Sequence, residues 1–105
     1  MKHYAMVGMK HRGAWAVKLV ASLPKDEDLE LVREPGNRYD RFAIQVWARG
    51  QHVAYVAAAQ NRDLATFMDA RQKRFPHGSE FGARLQAKFY QSSSGAALVA
   101  VLEMQ

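Results

Sequence analysis

Three short runs of β-prone residues follow one another closely between residues 29 and 56, and this pattern most constrains the fold. The runs are Leu29–Arg33, Ala43–Ala48 and His52–Val56. Pro35-Gly36 stops the first run, because proline has no backbone N–H for the strand ladder and glycine tolerates a positive φ. Gly50-Gln51 has the size of a tight hairpin loop between the other two runs. Short connections join antiparallel strands, so the sequence predicts an antiparallel sheet here.

The rest of the sequence adds further strands and one helix. Their β-prone or alternating composition predicts strands at Lys2–His11, Ala14–Val20, Ala83–Tyr90 and Ala97–Met104. Between residues 57 and 73 the apolar residues recur at helical spacing, which predicts a helix within about residues 59–74. For a chain of 105 residues, we therefore expect a single domain covering residues 1–105. Its predicted fold is mostly β (α+β), a small OB-like β-barrel of about six strands with one main helix.

Composition narrows the partners and the compartment. Lys and Arg outnumber Asp and Glu by 15 to 10, and the pI is about 9.8, which favours a polyanion such as nucleic acid as partner. The absence of cysteine excludes disulfides and thiolate zinc sites. No continuous apolar run occurs near the N-terminus, so we expect no signal peptide, no membrane partner and a reducing, cytoplasmic compartment.

Motifs of enzymes are missing from the sequence. It contains no P-loop, no G-x-G-x-x-G and no G-x-S-x-G, and its four histidines lie at no metal-ligand spacing. We therefore predict a binding protein that is not an enzyme, with no catalytic residues, no metal ligands and no cofactor. Two alternatives remain: a protein-interaction module whose barrel groove takes a peptide, and a metal-dependent nuclease or other hydrolase.

The connection between the first two runs, REPGNRYD, contains more than a turn needs. Asn37 and Asp40 have a local use, because their side chains can accept hydrogen bonds from backbone amides of a turn. That use does not explain Tyr39, whose ring would be poorly buried in a loop. Nor does it explain the nearby cations Arg33, Arg38 and Arg41, which with Lys10 are expected on the same side of the barrel as Tyr39.

The stretch LVREPGNRYDRFAIQV, followed by GQHVAYV, resembles the HIRAN domain family. That family has a pattern close to L-x-R-E-P-x-N-x-Y-D-x-x-A-I-x-V, then a hairpin and a helix, and Val7-Gly8 before a basic residue resembles its first strand. The resemblance extends from Met6 to the end. It implies an OB-like barrel that binds single-stranded DNA, with capture of the 3′ end in the best-understood members. The implied context is DNA repair or replication-fork processing, with a separate helicase or nuclease chain as a further partner.

The resemblance also implies roles for particular residues. Asp40 would accept a hydrogen bond from the 3′-hydroxyl, and Tyr39 would stack on the terminal base. Asn37 would contact a base edge or hold the loop. Lys10 matches a basic position that contacts phosphate, and Tyr55 falls where a phosphate-contacting histidine stands in that member type.

The sequence departs from the 3′-capturing members at three positions. His11 replaces a second stacking tyrosine, Ala58 replaces a lysine, and Ala54 replaces a common glycine. These changes predict a weaker or broader grip on the strand, or loss of the end preference. The arginines of the loop would compensate in part. Arg33 has an equally good structural interpretation, in which it pairs with Glu34 or with an acid such as Asp40. The candidate nucleic-acid-binding residues are Lys10, His11, Asn37, Arg38, Tyr39, Asp40 and Tyr55.

Overall fold

The computed structural model describes residues 1–71 and 82–102, and these form a closed barrel of antiparallel strands. Around the barrel the strand order is β1-β4-β3-β2-β5-β6. The strands are β1 (Lys2–Val7), β2 (Asp28–Arg33), β3 (Ile44–Ala48), β4 (Gln51–Val56), β5 (Arg84–Gln91) and β6 (Ala97–Val101). The helices in the described ranges are α1 (Met9–Arg12), α2 (Ala14–Ser22) and α3 (Asn61–Arg71).

The central meander β2-β3-β4 has the predicted order and pairing. In it, Leu31 pairs with Val46, and Val46 pairs with Ala54. The hairpin turn between β3 and β4 is Arg49-Gly50, where both residues have positive φ, 51° and 77°. Such a turn matches the right-handed twist of the strands. The predicted loop at Gly50-Gln51 is therefore displaced by one residue, since Gln51 already belongs to β4.

The barrel interior is filled by the apolar face of each strand. Ile44 and Val46 of β3 are fully buried, and α3 adds Leu64 and Met68 to the same core. From the sequence, Ile44, Val46, Leu64 and either Phe67 or Met68 are expected to be buried. This expectation is confirmed, with Met68 as the buried member of the last pair. Complete burial of each such side chain stabilises the fold by about 1.5–3 kcal/mol, so the core depends on α3 as well as on the sheet.

The prediction is wrong for residues 9–12 and 14–22, which are helical. Strands were expected at Lys2–His11 and Ala14–Val20, and only residues 2–7 of these form a strand, β1. The chain leaves the sheet at Gly8, whose φ is 85°, and α1 and α2 follow. Ala16 and Val20, four residues apart, are the buried residues of α2. A short apolar run fits both periods, and here alanine, leucine and lysine supply helix propensity.

The remaining elements confirm the predicted fold class. α3 lies within the range predicted for the main helix, and β5 and β6 agree with the last two predicted strands to within a few residues. Residues 72–74 of the predicted helix and residues 103–104 of the predicted last strand lie outside the described residues. The fold is thus the expected six-stranded barrel, with helical segments added between β1 and β2.

Candidate functional site

The loop between β2 and β3 is folded by its own side chains. The Oδ1 atom of Asn37 accepts hydrogen bonds from the backbone amides of Tyr39 and Asp40, each at 2.9 Å. The Oδ1 atom of Asp40 accepts one from the backbone amide of Phe42 at 2.8 Å. These are the local bonds expected of Asn and Asp in turns. They hold the backbone on both sides of Tyr39 in one conformation.

Glu34 connects this loop to the neighbouring strands by hydrogen bonds. Its carboxylate accepts hydrogen bonds from Asn37 Nδ2 at 3.0 Å, Gln45 Nε2 at 2.6 Å and the Tyr55 hydroxyl at 2.8 Å. Gln45 in turn accepts a hydrogen bond from Trp47 Nε1 at 2.8 Å. One carboxylate therefore joins the loop to β3 and β4.

The protonation states of this network are fixed by the same contacts. Burial would raise the pKa of Glu34, but hydrogen bonds from Gln45, Tyr55 and Asn37 outweigh it and hold that pKa below its ordinary value. Burial, aided by the bond to Glu34, raises the pKa of Tyr55 to about 12. At neutral pH Glu34 is thus charged, and Tyr55 is a neutral phenol whose hydrogen is committed to Glu34.

Helix α3 holds the loop from a second side, through Asp40. Asn61, the first residue of α3, is 2% exposed and donates from Nδ2 to Asp40 Oδ2 at 2.8 Å. An ionised carboxylate has about four acceptor sites. Phe42 and Asn61 occupy one site on each oxygen, so the carboxylate is oriented and still has capacity for another donor.

Arg33 also connects α3 to the loop, and its position corrects an expectation. It is 3% exposed and donates to both carboxylate oxygens of Asp69, at 2.9 and 3.1 Å. Its remaining bonds reach the backbone carbonyls of Ala43 at 2.7 Å and Arg41 at 2.9 Å. The prediction that Arg33 adds to a basic surface beside Tyr39 is wrong, because its guanidinium is buried and hydrogen-bonded inside the protein. The structural alternative is confirmed, although the acidic partner is Asp69 and not Glu34 or Asp40.

A cleft of about 410 Å³ opens beside the loop. Tyr39 stands at it with 88% of its surface exposed. Polar groups come from Asn37, Asp40 and Tyr55, and the other lining side chains are small or apolar. The lining residues are Val7, Asn37, Tyr39, Asp40, Ala43, Tyr55, Val56 and Ala58. Four of the seven predicted site residues therefore meet in one cleft.

The other three predicted residues lie outside the lining. Arg38 is exposed, and its guanidinium carbon lies 5.5 Å from the centroid of the Tyr39 ring. Lys10 and His11 are exposed on α1. This helix begins after Gly8, where a Cβ atom would lie 4.0 Å from Tyr55 Cδ2. The helix therefore starts at the wall of the cleft. That Lys10 lies on the same side of the barrel as Tyr39 stays a prediction.

Sequence reasoning missed the two residues that hold the site together, Glu34 and Asn61. From the sequence, Glu34 is expected only as a possible partner of Arg33, and Asn61 only as one of several polar residues that could cap the start of α3. A signal for Glu34 was present, since Gln45 lies between Ile44 and Val46, and the hydroxyl-bearing Tyr55 lies between Ala54 and Val56. Gln45 and Tyr55 are direct cross-strand partners, and polar side chains placed together need a shared acceptor or donor.

The family profile of the HIRAN domain matches residues 3–94. The chain belongs to the HIRAN domain family. HIRAN domains are nucleic-acid-binding modules, so the cleft belongs to a domain type with a known class of partner. A crystal structure of a protein from Lactobacillus plantarum resembles this HIRAN domain with 28% sequence identity and a TM-score of 0.67. The similarity covers 94% of this chain and 88% of that one. No match was found among curated proteins.

Residues 1–71 and 82–102 contain no group of three or more His, Asp or Glu side chains placed to hold a metal ion. Within the same ranges, no helix is both long and apolar enough to cross a membrane.

Proposed function

We propose that this HIRAN domain binds single-stranded DNA and that its cleft takes the 3′-hydroxyl end of the strand. The observation that carries the proposal is the Tyr39 ring, 88% exposed yet held by hydrogen bonds on both sides of its backbone. Such a ring contributes nothing to the core. Stacking of a base on it contributes about 1–3 kcal/mol without requiring a particular sequence.

Asp40 supplies the proposed end preference. Its carboxylate faces the cleft beside Tyr39 and has acceptor capacity beyond Phe42 and Asn61. A hydroxyl can donate to it, whereas a phosphate in that place would meet a like charge. An acid beside a DNA strand is therefore expected to favour the uncharged end.

The hydrogen bonds refine the roles of Asn37 and Tyr55. Asn37 Oδ1 already accepts two backbone amides and Nδ2 donates to Glu34, which supports a loop-holding role over reading a base edge. The Tyr55 hydroxyl donates to Glu34, so it has no hydrogen left for a phosphate. We assign Tyr55 to the wall of the cleft, and phosphate contacts to Lys10, Arg38 and Arg41.

The experiment compares a labelled ten-nucleotide strand ending in a 3′-hydroxyl with the same strand ending in a 3′-phosphate. We expect the hydroxyl-ended strand to bind at least tenfold more tightly than the phosphate-ended strand, because a hydrogen bond to a charged group contributes about 1.5–3 kcal/mol. Tyr39→Ala should weaken the binding of both strands. Equal affinity of the wild-type protein for the two ends would refute end capture and leave general strand binding.

Asp40→Asn is the variant that separates the ligand role of Asp40 from its role in the loop. Its amide oxygen can still accept from Phe42, and Asn61 can rotate its own amide to offer an oxygen to the new amide group. The loop should therefore persist while the charge is lost, so the preference for the hydroxyl end should shrink. An unchanged preference in Asp40→Asn would assign the selectivity to another group.

Salt dependence separates strand binding from peptide binding in the same cleft. The net charge of +5 predicts that affinity for DNA falls steeply as the salt concentration rises, because binding releases counterions.

An RNA strand of the same sequence tests whether the domain distinguishes DNA from RNA, because only RNA has the 2′-hydroxyl. We also propose that this HIRAN domain acts in repair or fork processing beside a separate helicase or nuclease chain.

A further inference from the structure

A second basic and aromatic surface lies on α1 and α2, outside the cleft. Residues 8–23 contain Lys10, Arg12 and Lys18 and no acidic residue. Ala16 and Val20 turn the inner face of α2 into the core, which leaves Trp15 43% exposed and Val17 39% exposed on the outside. Large exposed side chains in a patch of one charge sign point to an interaction surface.

The Trp15 ring is held in place by the backbone at Gly13. A Cβ atom at Gly13 would lie 2.8 Å from Trp15 Cδ1 and 2.9 Å from Nε1. The φ of Gly13 is 137°, a conformation that residues with a Cβ rarely adopt. The ring thus lies against bare backbone while much of it remains open to solvent. This contact restricts rotation of the side chain, so a base that stacks on the ring costs less side-chain entropy.

This surface begins beside the cleft. Val7 lines the cleft, Gly8 lies against Tyr55, and α1 begins at the next residue. Arg12, at the end of α1, donates to the His52 carbonyl of β4 at 3.1 Å. One turn of helix rises about 6 Å, and three more residues span at most about 11 Å. The Cα atom of Trp15 therefore lies within about 17 Å of Gly8, the length of about five stacked nucleotides at 3.4 Å each.

We infer that this surface, defined as Lys10, Arg12, Trp15 and Lys18, binds the internal nucleotides of the strand whose end occupies the cleft. A base stacks on Trp15, and neighbouring phosphates contact the cations. The inference rests on the proposed function and extends its site by several nucleotides. Charge favours nucleic acid over a protein partner, because the three cations lie within nine residues without an acid to balance them.

The test measures affinity for oligo-dT strands of four and twelve nucleotides, both with a 3′-hydroxyl, by competition against the labelled longer strand. Trp15→Ala should weaken binding of the twelve-nucleotide strand by about 5- to 100-fold. With one nucleotide in the cleft, the four-nucleotide strand has three left, about 10 Å when stacked. We expect it to stop short of Trp15, so Trp15→Ala should change its affinity less than twofold. Val17→Ala, which truncates a similarly exposed apolar side chain on α2, is the matched control and should change neither.

Two further measurements report on the surface directly. Trp15 and Trp47 are the two tryptophans of the chain. Binding of the twelve-nucleotide strand should quench tryptophan fluorescence, and most of this quenching should be absent in Trp15→Phe. Lys18→Gln should lower the dependence of log affinity on log salt by about 0.7, the value for one phosphate of a single strand. Thermal melting of each variant establishes that it is folded.

The outcomes separate this inference from the proposed function. If neither strand binds the wild-type protein, the proposed function fails and the inference fails with it. If both bind but Trp15→Ala changes neither, only the inference is overturned. If Trp15→Ala weakened the binding of both strands equally, Trp15 would act in the cleft, and this result would also overturn the inference. Self-association that Trp15→Ala abolishes, without an effect on the longer strand, would assign the surface to a second copy of the chain.

Discussion

Replacing Glu34 with glutamine should damage both the fold and the cleft, because it leaves one of three donors without an acceptor. The carboxylate receives Gln45 and Tyr55 on Oε1 and Asn37 on Oε2. If the glutamine oxygen stays with Gln45 and Tyr55, its NH2 group faces the NH2 group of Asn37. Asn37 cannot simply rotate its amide, because its oxygen accepts the amides of Tyr39 and Asp40.

The size of the effect follows from the contacts. A hydrogen bond to a charged group contributes about 1.5–3 kcal/mol, and an unmatched donor costs a similar amount if no water reaches it. Glu34 is half-buried, so water relieves part of the second cost. We therefore expect a loss of about 1.5–3 kcal/mol in unfolding free energy, which lowers Tm by roughly 6–15 °C for a domain of this size.

The assay is urea denaturation at several pH values, with Glu30→Gln as the control. Among the described residues Glu30 forms its ion pair with the exposed Arg84, so loss of that pair should cost less than about 1 kcal/mol. Since hydrogen bonds lower the pKa of Glu34 from its ordinary 4.5, the stability it contributes is present above pH 4.5. That stability is lost as pH falls through the folded pKa. The difference between wild type and Glu34→Gln should therefore shrink in acid.

Two results would refute this reasoning. One is a Glu34→Gln protein as stable at pH 7 as the Glu30→Gln control. The other is a loss of stability without any loss of strand binding. In the second case Glu34 would support the fold but not the geometry of the cleft, which its bonds to Asn37 and Tyr55 predict it should control.

Further variants test other contacts. Arg33→Met should cost about 2–4 kcal/mol in urea denaturation, because two backbone carbonyls lose their donor, whereas Asp69→Asn should cost less. Gly82→Ala should destabilise by about 1–3 kcal/mol, since its Cβ would lie 2.9 Å from Arg33 Cβ. Burial and Arg12 lower the pKa of His52 from 6.5, so stability should fall as pH drops below 6.5 towards the folded pKa, and His52→Gln should lack that component. Asn61→Ala should weaken binding of hydroxyl and phosphate ends alike.

The sequence predicted the barrel because its strands carry unambiguous local information. Between residues 29 and 56, breakers lie between β-prone runs of strand length, and short connections leave few topologies open. The segment from residue 8 to residue 22 carried no such information. Ala16 and Val20 fit a buried helix face, but the same residues fit a loosely alternating strand. The choice depends on packing against β4, which is a tertiary contact.

The candidate site was predictable in its loop but not in its support. Asn37 and Asp40 act on neighbouring residues, so turn chemistry alone anticipates their bonds. The partners of Arg33 and Asp40 on α3 are 36 and 21 residues away. No local sequence pattern specifies a pairing across that distance. The sequence around Arg33 is therefore equally compatible with a surface cation and with a buried ion pair. Arg33 became a structural residue only when the barrel brought α3 beside the loop.

The local role of Asp40 and its proposed role in end recognition support each other. Bonds from Phe42 and Asn61 fix the orientation of the carboxylate before any ligand arrives, so binding need not order that group. The same bonds make Asp40→Ala hard to interpret, because it removes the loop contacts along with the acceptor. Asp40→Asn and Asn61→Ala divide the two roles. The first removes the charge and keeps the turn, whereas the second loosens the turn and keeps the charge. If end recognition depends on the charge, only Asp40→Asn should change the ratio of affinities for the two strand ends.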